Sequence, residues 1–479
     1  MKKDIFIALI PVVVLIVVLG ITIHVFGSEA LSGASQTALI ASAGLCCFLA
    51  MTHFKVKWKT LEDGIRENIA SVSTPIVILL LIGAISGTWI LSGVVPLLIY
   101  YGLQIISPSF FLVCTCLICA IVSVMTGSSW TTIATIGIAL LGIGQAQGFS
   151  EGVIAGAIIS GAYFGDKMSP LSDTTVMASS LSDVPLFRHI RYLVYTVVPT
   201  MFITLAIFTV MGLAHTVTDA GEITLYVQTL EQKFHLTPWL LIVPVLTGLM
   251  IARRMPALIV LFLSSVIAAI AALVFQPHIL IEVAGAHAPQ GLELFTGMIK
   301  SIYGETQIET GVPVINELVS TSGMAGMLQT VWLIVSAMTF GACMTASGML
   351  HLITRLLVPL CQKRTGMVAT TVTSGTLLNA MVADQYLSII LTSNMFKRIY
   401  RERGYEDRLL SRSLEDSCTV TSPLIPWSSC GMTQATILGV PTLTYLPYCF
   451  FNLISPLMSI CIAAIGYKIK RQWPINSKP

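Results

Sequence analysis

The chain has 479 residues, 55% of them hydrophobic and only 10% charged, with a mean hydropathy of +0.86. Soluble globular domains carry about 25% charged residues, so that class is excluded. The net charge of +3 says little about partners, because the basic residues sit in short loops rather than on one face, and no nucleic-acid partner is expected. Apolar stretches of roughly 20 residues recur along the chain and leave room for about a dozen bilayer crossings. The expected fold class is an all-α polytopic membrane protein.

The first apolar run, residues 5–25, is too long for a secretory leader and many further spans follow it, so it is expected to remain as the first helix. Most of the eleven cysteines lie inside apolar segments. Cys116 and Cys119 form a CxxC, but no second pair or nearby His completes a metal site, and buried, inert thiols are expected. Basic residues cluster at 2–3, 55–66, 188–191, 253–254, 363–364, 397–412 and 468–471, whereas 28–33, 214–233 and 276–324 are neutral or acidic. The positive-inside rule places the first set in the cytoplasm and the second outside. Both termini then come out cytoplasmic, with helices near 5–26, 36–52, 190–214, 238–252 and 256–275. His24, His53, His189, His215, His235 and His351 fall at segment ends or loops, where any of them could sense pH. The outer segment carries Glu282, Glu293, Glu305, Glu309 and Glu317 with His278 and His287 but no recurring ligand spacing, and it reads as a solvated cap.

Two regions resemble each other at an offset of 253 to 255 residues. Gly87 and Ser92-Gly93 match Gly341 and Ser347-Gly348, the polar break 126–130 falls opposite 380–384, and Ser169-Pro170-Leu171 reappears as Ser422-Pro423-Leu424. The charge rule runs the two regions through the membrane in opposite directions, as in the inverted repeats of secondary transporters. The expected division is an N-terminal helical hairpin (1–65), repeat one (66–214), linking helices and outer segment (215–325), and repeat two with a cytoplasmic C-terminus (326–479).

Each repeat is interrupted by polar, Gly- or Pro-containing sequence. Residues 126–132 break a hairpin whose tip hydroxyls and freed carbonyls are hard oxygen ligands suited to a small cation; the competing reading is a helix contact through small residues. Asp166, Lys167 and Asp173 stand out because no charge occurs between Glu67 and Glu151. Charges inside a bilayer cost several kcal/mol unless paired or solvated. One carboxylate can hold a proton or a sodium ion but hardly both, which is the simplest machine for exchange. Against this stand Asp166 as a helix cap and Lys167 snorkelling to the interface. Repeat two offers Asn379, Asp384 and Gln385 at its hairpin tip, with Asp384 expected to face the first hairpin. Glu415 and Asp416 follow, close enough to Arg408 and Arg412 for a surface salt bridge, and Glu406 and Asp407 read as solvated.

Residues 161–175, Gly-Ala-Tyr-Phe-Gly-Asp-Lys-Met-Ser-Pro-Leu-Ser-Asp-Thr-Thr, resemble the signature of the NhaC-type sodium/proton antiporters of the ion-transporter superfamily. Residues 126–132 and 414–431 are similar to that family's second and third motifs. The resemblance implies a homodimeric antiporter of a bacterial inner membrane, with no cofactor beyond the transported Na+ and H+. It also implies an ion and proton site of Asp166, Asp173, Asp384, Thr126, Ser129, Ser169 and Thr174, with sodium at Asp166, Asp173, Thr126 and Ser129. Lys167, Asn379, Glu415 and Asp416 remain as charge or substrate partners. The family more often has Thr at Ser128, Gly at Thr131, and Asn at Val176 and Ser428. The expected function is Na+/H+ exchange by alternating access. The alternative is a Na+- or H+-coupled exchanger of organic acids or amino acids, of the malate/lactate type. A channel is disfavoured by the broken repeats. With no HExxH string and no Gly-x-Ser-x-Gly context at Ser128 and Ser129, no enzyme is expected.

Overall fold

In lipid every backbone N–H and C=O must be satisfied within its own segment, so the apolar runs become helices. The computed structural model describes residues 2–26, 33–215, 220–253, 255–285, 288–354 and 363–470. Among these, eight helices are long and apolar enough to cross a bilayer, or ten if two bent pairs are each one span. The bent pairs are Thr224–Lys233 with Pro238–Ala252, at 93°, and Thr442–Tyr448 with Phe450–Ile465, at 55°. The shortfall against a dozen has a physical source: Glu151–Met168, Arg364–Val382 and Gln385–Glu402 have the length but carry charged or polar residues that they bury against protein. The fold is all-α and polytopic, and the one extended pairing among the described residues is the bridge between Thr306 and Thr321.

Residues 5–25 do form the first helix, Lys2–Phe26, which packs on Ala34–Thr52. Cys116 and Cys119 are fully buried. The outer segment differs from the solvated cap expected of it. Its helices Pro277–Ala284 and Glu293–Tyr303 bury Ile279 and Leu280, and Ile308, Ile315 and Val319 join the same core. Its acidic residues are drawn into local contacts, as with Lys233 on Glu282 at 2.8 Å. His287 and the Glu317 side chain lie outside the described residues.

Glu406 is buried and paired with Arg408 rather than solvated, and Asp407 accepts from Arg401 at 2.9 Å. Asp183, in the turn after Asp173–Leu181, meets Lys397 at 2.6 Å and Arg401 at 2.7 Å. Those two cations hold its carboxyl below the usual carboxylate range. This surface cluster ties the end of one broken region to Gln385–Glu402 of the other.

The two broken regions follow one plan. In the first, Pro108–Thr126 ends at Gly127 (φ 69°), and Ser128 restarts the chain as Ser129–Thr132, a π-turn Ile133–Gly137 and Ile138–Ala146. In the second, Arg364–Val382 ends at Ala383 (φ 61°), and Asp384 restarts it as Gln385–Glu402. After the hairpin, Ser172 caps Asp173–Leu181 in one region and Ser428 caps Ser429–Leu438 in the other. Each cap accepts a backbone N–H that would otherwise be orphaned, which stabilises a restart by about 1 kcal/mol. The pairs Ser128/Asp384 and Ser172/Ser428 both stand 256 residues apart. This register replaces the 253 to 255 read from the strings: Ser422-Pro423-Leu424 is a 3-10 turn set earlier relative to its cap than Ser169-Pro170-Leu171.

Glycines bring Pro108–Thr126 and Glu151–Met168 into backbone contact. A Cβ at Gly161 would lie 2.1 Å from the Cys116 carbonyl oxygen, and one at Gly165 would lie 2.4 Å from that of Ala120. Small residues four apart allow this close approach in membranes, and Ser123 Oγ seals it by donating to Ala162 O at 2.6 Å. Gly161→Ala is expected to force the helices apart, costing about 1–3 kcal/mol as overpacking does. A lowered unfolding temperature in detergent, with reduced transport, checks this; an unchanged melting curve rules it out.

Candidate ion-binding site

The site grows from the two restarts in the first broken region. Ser128 Oγ accepts from Thr131 N at 3.2 Å, so the helix beginning at Ser129 presents its N-terminal end toward Glu151–Met168. Ser129 donates both its backbone N–H (3.2 Å) and its hydroxyl (2.7 Å) to one oxygen of Asp166. Asp166 lies near the end of Glu151–Met168 and is 6% exposed. A helix N-terminus and charge-assisted hydrogen bonds both favour an anion there. The chain then leaves the helix at Ser169-Pro170-Leu171, and the Ser172 cap sets Asp173 and Thr174 in the next first turn.

These elements enclose one side of a cavity of about 300 Å³. Its polar lining comes from Thr126, Ser128, Thr131, Asp166, Asp173, Thr174, Gln385 and Tyr386, and its apolar wall includes Pro75, Ile78, Ala257 and Val260. Among the described residues, no Lys, Arg or His lines it. The surface is therefore one of carboxylates, hydroxyls and an amide, which are hard oxygen donors for a cation. None of the six histidines suspected as pH sensors reaches it: His189 is buried on Ser411, at 2.8 Å, and His53 pairs with Asp4 at 3.0 Å.

Of the residues expected at the site, Thr126, Asp166, Asp173 and Thr174 meet at this cavity. Ser129 is buried behind Asp166 and orients it. Ser169 is fully buried, donating to Val124 O at 2.8 Å, and secures the broken helix to the hairpin. Asp384 does not line the cavity. Its Oδ1 accepts from Leu387 N at 2.9 Å and its Oδ2 from Ser429 Oγ at 3.2 Å, so it is the cap that its counterpart Ser128 is in the first region. Asn379 donates to Cys418 O at 2.6 Å and Thr421 Oγ1 at 3.0 Å, between helices.

Lys167, Glu415 and Asp416 form a separate cluster. Lys167 does not snorkel: it is fully buried, and its Nζ meets Asp416 Oδ1 and, at 3.0 Å, Ser455 Oγ. Glu415, Asp416 and Arg412 are also fully buried, so no surface salt bridge accounts for them. Sequence reasoning missed Tyr386, whose only signal was its place beside the break at Gln385. Of the four departures from the family pattern, Ser128 and Thr131 line the cavity. Val176 is 41% exposed, and Ser428 caps a helix, a role that Asn also fills.

The profile of the Na+/H+ antiporter family matches residues 4–163 and 161–467. The chain is similar to the Na(+)/H(+) antiporter NhaC of Alkalihalophilus pseudofirmus, with 36% identity over 89% of each chain. It is equally similar to the malate-2H(+)/Na(+)-lactate antiporter of Bacillus subtilis, at 36% over 91% of this chain and 90% of that one. The arginine/ornithine antiporter ArcD of Halobacterium salinarum is 33% identical over 98% of this chain and 94% of its own. With a family profile spanning most of its length and relatives above 30% identity across it, the chain belongs to the Na+/H+ antiporter family.

Proposed function

We propose that this protein exchanges Na+ for H+ across a bacterial cell membrane by alternating access, with Asp166 and Asp173 taking either ion. The observation that carries this reading is the cavity: two carboxylates and several hydroxyls line it, with no basic side chain among the described residues. A sodium ion finds oxygen ligands at Thr126, Asp166 and Asp173, and a proton on the same carboxylates displaces it. Among the described residues an organic anion would find no cationic group there, because Lys167 is turned away and paired with Asp416. That absence favours Na+/H+ exchange over exchange of carboxylates of the malate/lactate type.

Alternating access is supported by a second cavity of about 630 Å³ on the other side of the same discontinuous helix. Trp130 and Thr131 line the first cavity, Ile138 and Leu141 the second, and the buried π-turn Ile133–Gly137 lies between them. π-turns inside helices are weak points of the hydrogen-bond ladder and suit a moving partition. By the positive-inside rule the first cavity, beside Pro75 and Met255, opens to the cytoplasm, and the second, beside Glu151 and Glu305, opens outward. Both termini are then cytoplasmic.

The test uses purified protein in liposomes with a pH dye inside. Imposing a sodium gradient alone is expected to move protons with saturable dependence on sodium. Proton movement that starts only when a carboxylate or amino acid is added would overturn the reading.

A further inference from the structure

The Ser and Thr hydroxyls that line the ion cavity differ in what the fold asks of them. Thr126 Oγ1 accepts from Ser128 N at 3.2 Å and meets Ser128 O at 3.1 Å and Thr132 Oγ1 at 3.2 Å, so it ties the broken turn together. Ser128 Oγ is the cap that accepts from Thr131 N. Thr174 Oγ1 pairs with Ser172 Oγ at 3.0 Å. Thr131 is the exception. It lines the cavity and is only 4% exposed, yet among the described residues its hydroxyl has no hydrogen-bond partner.

The break in the helix is what frees this hydroxyl. A threonine inside a helix commonly donates to the carbonyl four residues back, as Thr132 does to Ser128 O at 2.9 Å and Thr135 to Thr131 O at 2.8 Å. Four residues before Thr131 stands Gly127, whose left-handed φ of 69° closes the preceding helix and leaves its carbonyl outside the one that Thr131 belongs to. The cap does not need the hydroxyl either. The Ser128 N–H, which a side chain at the third helical position can satisfy, is already taken by Thr126. A polar group sheltered from bulk water is costly unless something meets it, so a free hydroxyl on a cavity wall is one that the cavity's contents complete. Its neighbours on the same turn point to what those contents are. Ser129 holds Asp166 through its N–H and hydroxyl, and Asp166, Asp173 and Thr131 line one cavity.

We propose that Thr131 is a sodium ligand that sets the affinity for the cation, its hydroxyl oxygen completing the shell that Asp166, Asp173 and Thr126 begin. This rests on the Na+/H+ reading and deepens it by naming a residue that serves one of the two ions. Hard cations gather several oxygens, and a neutral oxygen held in place beforehand adds attraction without a further charge to balance. A proton needs only one carboxylate oxygen. The Thr131 hydroxyl therefore favours the sodium-loaded site over the protonated one, and does so without titrating itself.

Thr131→Val keeps the branched shape and removes the oxygen. Because the hydroxyl has no partner in the fold, the melting curve of the variant is expected to match wild type. Equilibrium binding of radioactive sodium to the purified full-length protein is expected to weaken roughly tenfold, the equivalent of about 1.4 kcal/mol, with Thr131→Ser close to wild type. In liposomes the KM for sodium should rise by the same factor while the rate at saturating sodium holds. Unchanged sodium affinity in a well-folded Thr131→Val overturns the proposal, and so does an equal loss in Thr131→Ser. Measuring binding apart from transport keeps the two layers distinct. A wild type that binds sodium but moves no protons under a sodium gradient sinks the Na+/H+ reading, and the binding comparison still decides the role of Thr131. A wild type that binds no sodium sinks both. Should Thr131→Val fail to fold, Thr131→Cys is treated with a small thiol reagent and the labelled peptide followed by mass spectrometry. Sodium is expected to slow labelling at that position, and labelling indifferent to sodium overturns the proposal.

Discussion

Asp166→Asn is expected to abolish sodium-driven proton movement in a protein that still folds. The amide has the shape of the carboxylate, and its oxygen still accepts from Ser129 N and Oγ, so the crossing of the two broken elements survives. What disappears is the charge. A unit charge pair at about 2.5 Å is worth roughly 6–7 kcal/mol at an effective dielectric of about 20, and even half of that weakens sodium binding roughly a hundredfold. The same substitution removes a protonatable group, so both sides of the exchange are lost together. Ser129→Ala, which deletes one charge-assisted hydrogen bond of about 1.5–3 kcal/mol, is expected to fall between wild type and Asp166→Asn. The dye assay in liposomes reads both, with circular dichroism and gel filtration confirming the fold. Exchange retained by Asp166→Asn would remove Asp166 from the centre of the mechanism.

The second large effect concerns stability. Lys167→Met leaves Asp416 buried with only two hydroxyl donors and a distant guanidinium, and breaking a buried pair from one side costs about 3–5 kcal/mol. A large drop in unfolding temperature, or failure to reach the membrane, is expected. The double variant Lys167→Met, Asp416→Leu removes both charges at once and is expected to recover most of the loss, because apolar packing often matches a buried ion pair. It also separates a structural role from a substrate role. If the double variant folds and keeps sodium-driven exchange, Lys167 holds the fold together and holds no transported anion. Loss of exchange in a well-folded double variant would reopen the case for an anionic substrate.

What could be read from the sequence was whatever depends on short stretches of chain. Apolar runs long enough to cross a bilayer announce helices, since lipid leaves the backbone no other partner. Gly127, Ser128, Ser172 and Ser428 announce breaks and restarts, because left-handed turns and caps are made by residues within three or four positions of each other. The scarcity of charge around Asp166 and Asp173 marked them, and both do line the cavity. Where side chains point is a different matter. Asp166 and Lys167 are neighbours in the chain, yet a step of about 100° around a helix sends one toward Ser129 and the cavity and the other toward Asp416, 249 residues away. The same holds for Asp384, whose isolation in the sequence suggested an ion ligand and whose backbone geometry makes it a cap. For Glu415 and Asp416 a surface salt bridge to Arg408 or Arg412 is an equal reading of at least one of them, and it is the packing of neighbouring helices over their turn that buries both. Hydropathy and local turn chemistry act over a few residues and so survive in the string of letters. Burial, charge pairing and the choice of which acid faces the ion depend on helices far apart in the chain, and only their packing decides them.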